Sequence, residues 1–277
     1  MDLTGQVALV TGGSRGLGRA FAQALAAAGA QVAITGRSSD ELRQTAHDIS
    51  TPTRQVLALQ ADVTDSTAAP QVIATVEQQL GPLTLLVNNA GQLRALGSVD
   101  VVDPDAWWNE IEVNLRGPFL YARAVLPGMR ARQAGRIVNV ASGAGTFAVP
   151  KGSAYVVSKT ALIRLSETMA QETAADGIRV FAIHPGTVRT PMNDYVHDSP
   201  EVAKVFPDLQ QSFRTTYAEG LDTPIEQSVQ LVLRLAAGEA DELSGYYLEV
   251  SDDLAALVEQ KKGPQAVPDQ RTLRLVQ

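Results

Sequence analysis

Tyr155 and Lys159 stand four residues apart in the stretch YVVSK. On a helix, positions i and i+4 share a face, so a phenol and an ammonium become neighbours. A free phenol titrates near pH ~10, too high for easy proton exchange at neutral pH, and a nearby cation favours the phenolate and lowers that value. The pair has the make-up of a tuned general acid and base. Ser142, thirteen residues upstream of Tyr155, closes the apolar run RIVNVAS, which reads as a strand that brings a hydroxyl to the same place. Taken alone, this spacing also describes an ordinary solvated helix face with a half-buried phenol. The elements around the pair decide between the two.

Those elements alternate along the chain. QVALV is followed by a helix over about 16–28, QVAIT by a helix over about 40–49, and VLALQADV by a helix over about 66–80. LTLLVNNAG precedes a long helical region, about 104–132, that holds Trp107, Trp108 and Tyr121. RIVNVAS then leads to the Tyr155 helix, which runs to about Ala175. IRVFAIHPG, an interruption, a helix over about 224–237 and a strand near YYLEV complete the pattern. Near-continuous apolar strands between helices mark a parallel sheet covered on both faces, with right-handed crossovers. The prediction is an α/β fold: a doubly wound, parallel, seven-stranded, Rossmann-like sheet with helices on both faces. It forms one domain over 1–260, followed by a tail over 261–277.

Composition narrows the partners. The chain has 277 residues, 45% of them hydrophobic, and a net charge of -7 with Lys and Arg scattered. That argues against nucleic acid and against an anionic membrane surface. The absence of cysteine excludes disulfides and thiolate metal sites. No His or acidic cluster has ligand spacing, so no metal is assigned. No apolar run approaches the ~20 residues of a membrane span. The polar start MDLTGQ reads as no signal peptide, and a cytoplasmic location is expected.

The first strand runs into Thr11-Gly12-Gly13-Ser14-Arg15-Gly16-Leu17-Gly18, where a helix opens. Glycines allow a tight turn and close approach of backbone to a diphosphate, and the helix N-terminus attracts that anion. Gly12, Ser14, Arg15, Gly16, Leu17 and Gly18 are the candidate contacts. The spacing is G-x-x-x-G-x-G rather than G-x-G-x-x-G. At the end of the second strand, where an NAD site usually places an acid for the ribose 2′-hydroxyl, stand Gly36 and Arg37. Arg15 and Arg37 suit a 2′-phosphate, so NADP(H) is predicted. NAD(H) is the alternative, favoured if Asp40 or Glu41 folds back.

With these residues in place, the chain resembles the short-chain dehydrogenase/reductase family in its compact, single-domain branch. The resemblance spans roughly residues 4–250. It rests on TGGSRGLG, on NNAG at 88–91, on YVVSK, and on Asn114, Ser142 and Pro185-Gly186, all in order. The resemblance implies that Asp62 and Val63 contact the adenine and that Asn89, Ala90 and Gly91 line the adenosine and ribose path. Pro185, Gly186, Val188 through its backbone and Thr190 through its hydroxyl would wrap the nicotinamide, with His184 a structural neighbour. It also implies a hydride exchanged between nicotinamide and a carbonyl carbon. Ser142 would polarise the oxygen and Tyr155 would pass the proton. Lys159 would lower the phenol's pKa and hold the nicotinamide ribose. Asn114 would disturb its helix and hold a water in a proton path. Relatives of this kind are commonly dimers or tetramers built on the long helices, so the resemblance implies a homodimer or homotetramer.

A lid is expected over about 187–222, irregular from 193 to 221, carrying Tyr195, Val196, Val205, Phe206, Leu209, Phe213 and Tyr217. Its apolar load suggests a lipophilic substrate, or equally the packing of the lid onto the body. Leu93, Leu96, Phe147 and Val149 would complete the wall. The C-terminus departs from the family pattern: Ser251 or Asp252 would cap a helix over about 253–261, followed by a loose tail. Arg123, Arg130 and Arg132 read as a solvated face ahead of a carrier-protein patch. The leading function is an NADP(H)-dependent oxidoreductase acting on a ketone or secondary alcohol. A 3-ketoacyl reductase working on carrier protein or CoA comes second. A catalytically silent NADP(H)-sensing regulator is the rival from another class.

Overall fold

The apolar runs form seven strands in the computed structural model, which describes residues 1–51, 54–262 and 271–273. They are Val7–Thr11 (β1), Gln31–Gly36 (β2), Leu57–Gln60 (β3), Leu85–Asn88 (β4), Gly135–Val140 (β5), Ile178–His184 (β6) and Tyr247–Glu249 (β7). They build one sheet in the order β3-β2-β1-β4-β5-β6-β7, with every pairing parallel. All of β1 and β4 is buried, which explains why their sequences carry no polar alternation.

Eleven α-helices flank this sheet among the described residues. Gly16–Ala27 (α1), Ser39–Ile49 (α2), Ala68–Leu80 (α3), Pro104–Ile111 (α4), Gly117–Arg132 (α5) and Ser153–Thr173 (α6) follow the strands in turn. Pro191–Asp198 (α7), Pro200–Val205 (α8) and Pro207–Ala218 (α9) come after β6, then Ile225–Ala236 (α10) and, past β7, Leu254–Lys262 (α11). The period-2 geometry of β1 divides the interior into two cores. Ala8 and Val10 meet Phe21 and Leu25 of α1 and Leu231 and Leu235 of α10. Val7 and Leu9 meet Val72 and Val76 of α3, Tyr121 and Val125 of α5 and Met169 of α6. The predicted doubly wound α/β architecture is thus the observed one.

Four local readings change. The long helical region is not α-helical throughout: Glu112–Arg116 forms a π-helical turn between α4 and α5. The segment expected to be irregular is mostly helix. Pro191, Pro200 and Pro207 each open a helix, at the position where a missing N–H costs nothing. Thr190 and Ser199 cap the first two. At the C-terminus the cap is Asp253, which accepts from the N–H groups of Ala255 and Ala256 at 3.1 Å each. Asp252 instead accepts from Glu249 N at 2.8 Å. Most of the tail, 263–270 and 274–277, lies outside the described residues. Residues 271–273 lie along the sheet edge, where Tyr247 N–H donates to the Arg271 carbonyl at 2.8 Å and Leu273 packs on Ala141, Ile163, Ala182 and Tyr247. Arg130 pairs with Asp176 at 2.9 Å and Arg132 with Glu77 at 3.2 Å, which favours the solvated reading of that face. No helix among the described residues is long and apolar enough to cross a membrane.

Phe181 on β6 is wholly buried. Phe181→Ala should lower unfolding free energy by about 3–5 kcal/mol, read from the midpoint of urea unfolding at unchanged slope.

Candidate active site

A cavity of about 780 Å³ opens at the carboxyl ends of the strands, beside the β1/β4 switch point. One end is built on the glycine turn. A Cβ at Gly12, where φ is +64°, would sit 2.9 Å from Ala90 Cα, and one at Gly18 would sit 2.2 Å from the Gly12 carbonyl oxygen. Larger residues would fill the turn. Thr11 Oγ1 accepts from the N–H groups of Asn89 and Ala90 at 3.1 Å each. Asn89 Nδ2 donates back to the carbonyls of Thr11 and Gly12 at 3.0 and 3.2 Å. The NNAG segment and the glycine turn therefore form one unit. No side chain caps α1, so its first N–H groups remain available to an anion. Ser14, Arg15, Gly16 and Leu17 line the cavity here, and Gly18 supports the turn from below. These residues fit a dinucleotide's diphosphate.

Arg37, Asp62, Val63, Asn89, Ala90 and Gly91 line the same end. Asp62 Oδ1 is occupied by Thr64, accepting from its N–H at 2.9 Å and its hydroxyl at 2.8 Å. The carboxylate that would favour NAD(H) does fold back. Glu41 accepts from Ser14 Oγ at 3.2 Å and lies 3.8 Å from Arg15 Nη1. Arg37 pairs with no carboxylate among the described residues.

At the centre of the cavity, the end of β5 meets α6. Lys159 is 3% exposed. Its Nζ donates to the Val140 carbonyl at 2.8 Å and lies 5.6 Å from the centre of the Tyr155 ring. Ser142 has extended backbone, its hydroxyl accepts from Ala144 N at 3.2 Å, and it lines the cavity wall together with Tyr155. Asn114 stands in the π-helical turn, fully buried. Its Oδ1 accepts from Gln92 N at 2.8 Å, and its Nδ2 donates to Gln92 O at 2.9 Å and Ser158 Oγ at 3.2 Å. Ser158 in turn donates to the Tyr155 carbonyl at 2.8 Å. Ser142, Tyr155, Lys159 and Asn114 are thus brought together. The widened turn sits at the residue with poor helix propensity, whose amide finds its partners across the cleft.

The electrostatics correct one expectation. The neighbouring ammonium was expected to make the phenol acidic. Instead, burial pushes Tyr155 up to about 12, the nearby Ser142 hydroxyl opposes this, and the charge of Glu110 adds to it. Burial also brings Lys159 down to about 8, opposed by Glu110. The ammonium is turned to the Val140 carbonyl rather than to the phenol oxygen, so its pull on Tyr155 is small. Among the chain's own groups, the phenol is held protonated.

The other end of the cavity is apolar. Leu93, Leu96, Phe147 and Val149 line it from the body, as expected, and Met192, Phe206, Leu209 and Phe213 line it from the lid. The remaining lid residues pack instead. Val196 is fully buried, the Arg94 guanidinium stacks 3.6 Å over the Tyr195 ring, and Tyr217 stacks on His197 at 5.1 Å. Val205 lies outside the cavity wall. Pro185, Gly186, Val188 and Thr190 form the cavity edge where the body passes into the lid. Val188 O accepts from Asn193 Nδ2 at 2.8 Å. His184 lines the wall, and burial holds its pKa below the usual range. Sequence reasoning missed Thr11, Gln92, Ser158 and Glu110, whose bonds to Asn89 and Ala90, to Asn114, and to Arg94 and Ala95 join segments apart in sequence.

Residues 6–201 match the short chain dehydrogenase family. The chain belongs to that family. A short chain dehydrogenase of Pseudocercospora fijiensis, MYCFIDRAFT_6125, is 33% identical, covering 94% of this chain and 84% of the relative. The short chain dehydrogenase citE of Monascus ruber is 36% identical over 93% of this chain and 85% of its own. The crystal structure of a single-substitution variant of actinorhodin polyketide ketoreductase with NADPH superposes with a TM-score of 0.81 at 28% identity, covering 90% of this chain and 97% of that one. This short-chain dehydrogenase is an oxidoreductase of CH–OH groups whose fold binds a nicotinamide cofactor.

Asn114→Leu should leave the N–H and carbonyl of part-buried Gln92 without their side-chain partner. The expected cost is about 1–3 kcal/mol per stranded group, read as a lower thermal midpoint together with reduced turnover.

Proposed function

We propose that this short-chain dehydrogenase is an NADP(H)-dependent oxidoreductase that interconverts a lipophilic ketone and its secondary alcohol. One observation carries this reading: Ser142, Tyr155 and Lys159 line the wall where a dinucleotide cleft and an apolar pocket join in a single cavity. When bound, the nicotinamide supplies or takes up a hydride. The protein does the rest. Ser142 orients and polarises the substrate oxygen. Tyr155, held protonated with a pKa of about 12, hands its proton to that oxygen during reduction. Lys159 keeps a cation beside the site, and Asn114 fixes the Gln92 turn that leads into the pocket wall.

Gly12, Ser14, Gly16, Leu17 and Gly18 would hold the diphosphate. Arg15 and Arg37 would hold the 2′-phosphate, Arg15 being shared with Glu41. Asp62 and Val63 would meet the adenine, and Asn89, Ala90 and Gly91 the adenosine and ribose. Pro185, Gly186, Val188 and Thr190 would border the nicotinamide. The polyketide ketoreductase named above carries NADPH, which supports the cofactor choice. Exposed Phe119 on α5 and Val157 on α6 support assembly as a homodimer or homotetramer through those helices. The ion-paired Arg130 and Arg132 lend no support to carrier-protein docking, and the assembled acid/base group disfavours a silent sensor.

Tyr155→Phe should reduce turnover by about 10²–10⁴-fold in a ketone-dependent NADPH oxidation assay, while NADPH binding followed by nicotinamide fluorescence persists. Full activity in that variant would refute the assignment. Arg37→Ala should shift the ratio of kcat/KM values toward NADH by roughly tenfold or more, and a wild-type preference for NADH would overturn the cofactor choice.

A further inference from the structure

Glu110 is a carboxylate inside the protein. It sits on α4, fully buried, one helical turn before Asn114 and so on the same side of the chain. Its Oε2 accepts from the N–H groups of Arg94 and Ala95 at 2.6 and 2.9 Å. Asn114 grips both backbone groups of Gln92. Between them, these two side chains clamp the 92–95 segment, which leads from the cofactor end of the cavity to the wall at Leu93 and Leu96. Glu110 Oε1 is also buried and has no hydrogen-bond partner among the described residues. A neutral amide would satisfy Arg94 and Ala95 equally well. A buried charge with an unpartnered oxygen is costly unless another charge answers it.

Burial raises the Glu110 pKa, and the N–H groups of Ala95 and Arg94 and the charge of Lys159 on α6 oppose that rise. Lys159 and Tyr155 are the titratable groups of α6 that sense Glu110. The Arg94 guanidinium is engaged with the Tyr195 ring, and the π-helical turn presents the neutral amide of Asn114. We propose that Glu110 is a positioning residue of this active site: its carboxylate pins the 92–95 wall segment beside Asn114 and, in its ionised form, favours the ammonium of Lys159. The inference rests on the catalytic reading given above. The sign follows from the surroundings: burial favours neutral Lys159 and Glu110 opposes it, so removing the carboxylate lets the ammonium lose its proton at lower pH.

The test is the pH profile of kcat for ketone reduction with NADPH in wild type, Glu110→Gln, Glu110→Met and Tyr155→Phe. In Glu110→Gln, which keeps an acceptor, the fall of kcat at high pH should move down by roughly one pH unit with substrate KM little changed. Glu110→Met, which fills the space with neither charge nor acceptor, should show the same shift together with a several-fold higher substrate KM. Either variant alone reads the shift if the other fails to fold. A high-pH limb that superimposes on wild type, with Tyr155→Phe inactive, would overturn this inference and leave the catalytic reading standing. An active Tyr155→Phe would overturn both.

Discussion

Lys159 donates to the carbonyl of Val140 from inside the protein, and the arrangement of the whole site follows from that bond. An ammonium removed from water must find strong acceptors or lose its proton. The last carbonyl of β5 is such an acceptor, and taking it fixes α6 against the strand end. Ser142 lies two residues beyond Val140, and Tyr155 lies one helical turn before Lys159. Joining the strand to the helix at this point therefore brings the two hydroxyls together. Moving the lysine by one position would turn it to another face of α6 and separate them.

Beneath this contact runs a chain of buried amides and hydroxyls that links the same elements. Asn88 of β4 donates to Asn139 of β5 at 2.9 Å, Asn139 donates to Ser166 of α6 at 2.8 Å, and Ser166 returns a bond to the helix at Leu162 O. Polar groups at this depth favour one arrangement, because any slip leaves several of them without partners. Thr11 and Asn89 perform the matching task between β1 and β4, where the order of the strands reverses. The cofactor end and the chemical end are thus tied to adjacent strands of one rigid sheet. The lid, built from three short helices that each open on a proline, supplies the adaptable apolar wall.

Charge balance sets the character of the centre. Tyr155 and Lys159 are both pushed toward their neutral forms by burial, and Glu110 acts on both by making each hold its proton more strongly. A protonated phenol beside a serine hydroxyl at the cavity wall is placed to donate a proton. Glu41 plays a comparable part at the far end, where it lies 3.8 Å from Arg15 while Arg37, also in that wall, pairs with no carboxylate among the described residues.

The sequence by itself determined the strands, the doubly wound sheet, the glycine turn and the Tyr155–Lys159 spacing. Each of these is a short-range pattern: apolar runs, backbone freedom at Gly12 and Gly18, and the 3.6-residue helical period. It also marked Asn114 as a misfit in its helix. Tertiary structure decided what depended on residues far apart in the chain. Glu110 reaches Arg94 and Ala95 only after a long loop folds back, Glu41 meets Arg15 across two elements, and Phe206 faces the cavity while Tyr195 does not. The direction of the Tyr155 shift belongs here too. Spacing shows that a cation is near, but desolvation and the atom toward which that cation points come from the packed surroundings, and these outweigh proximity.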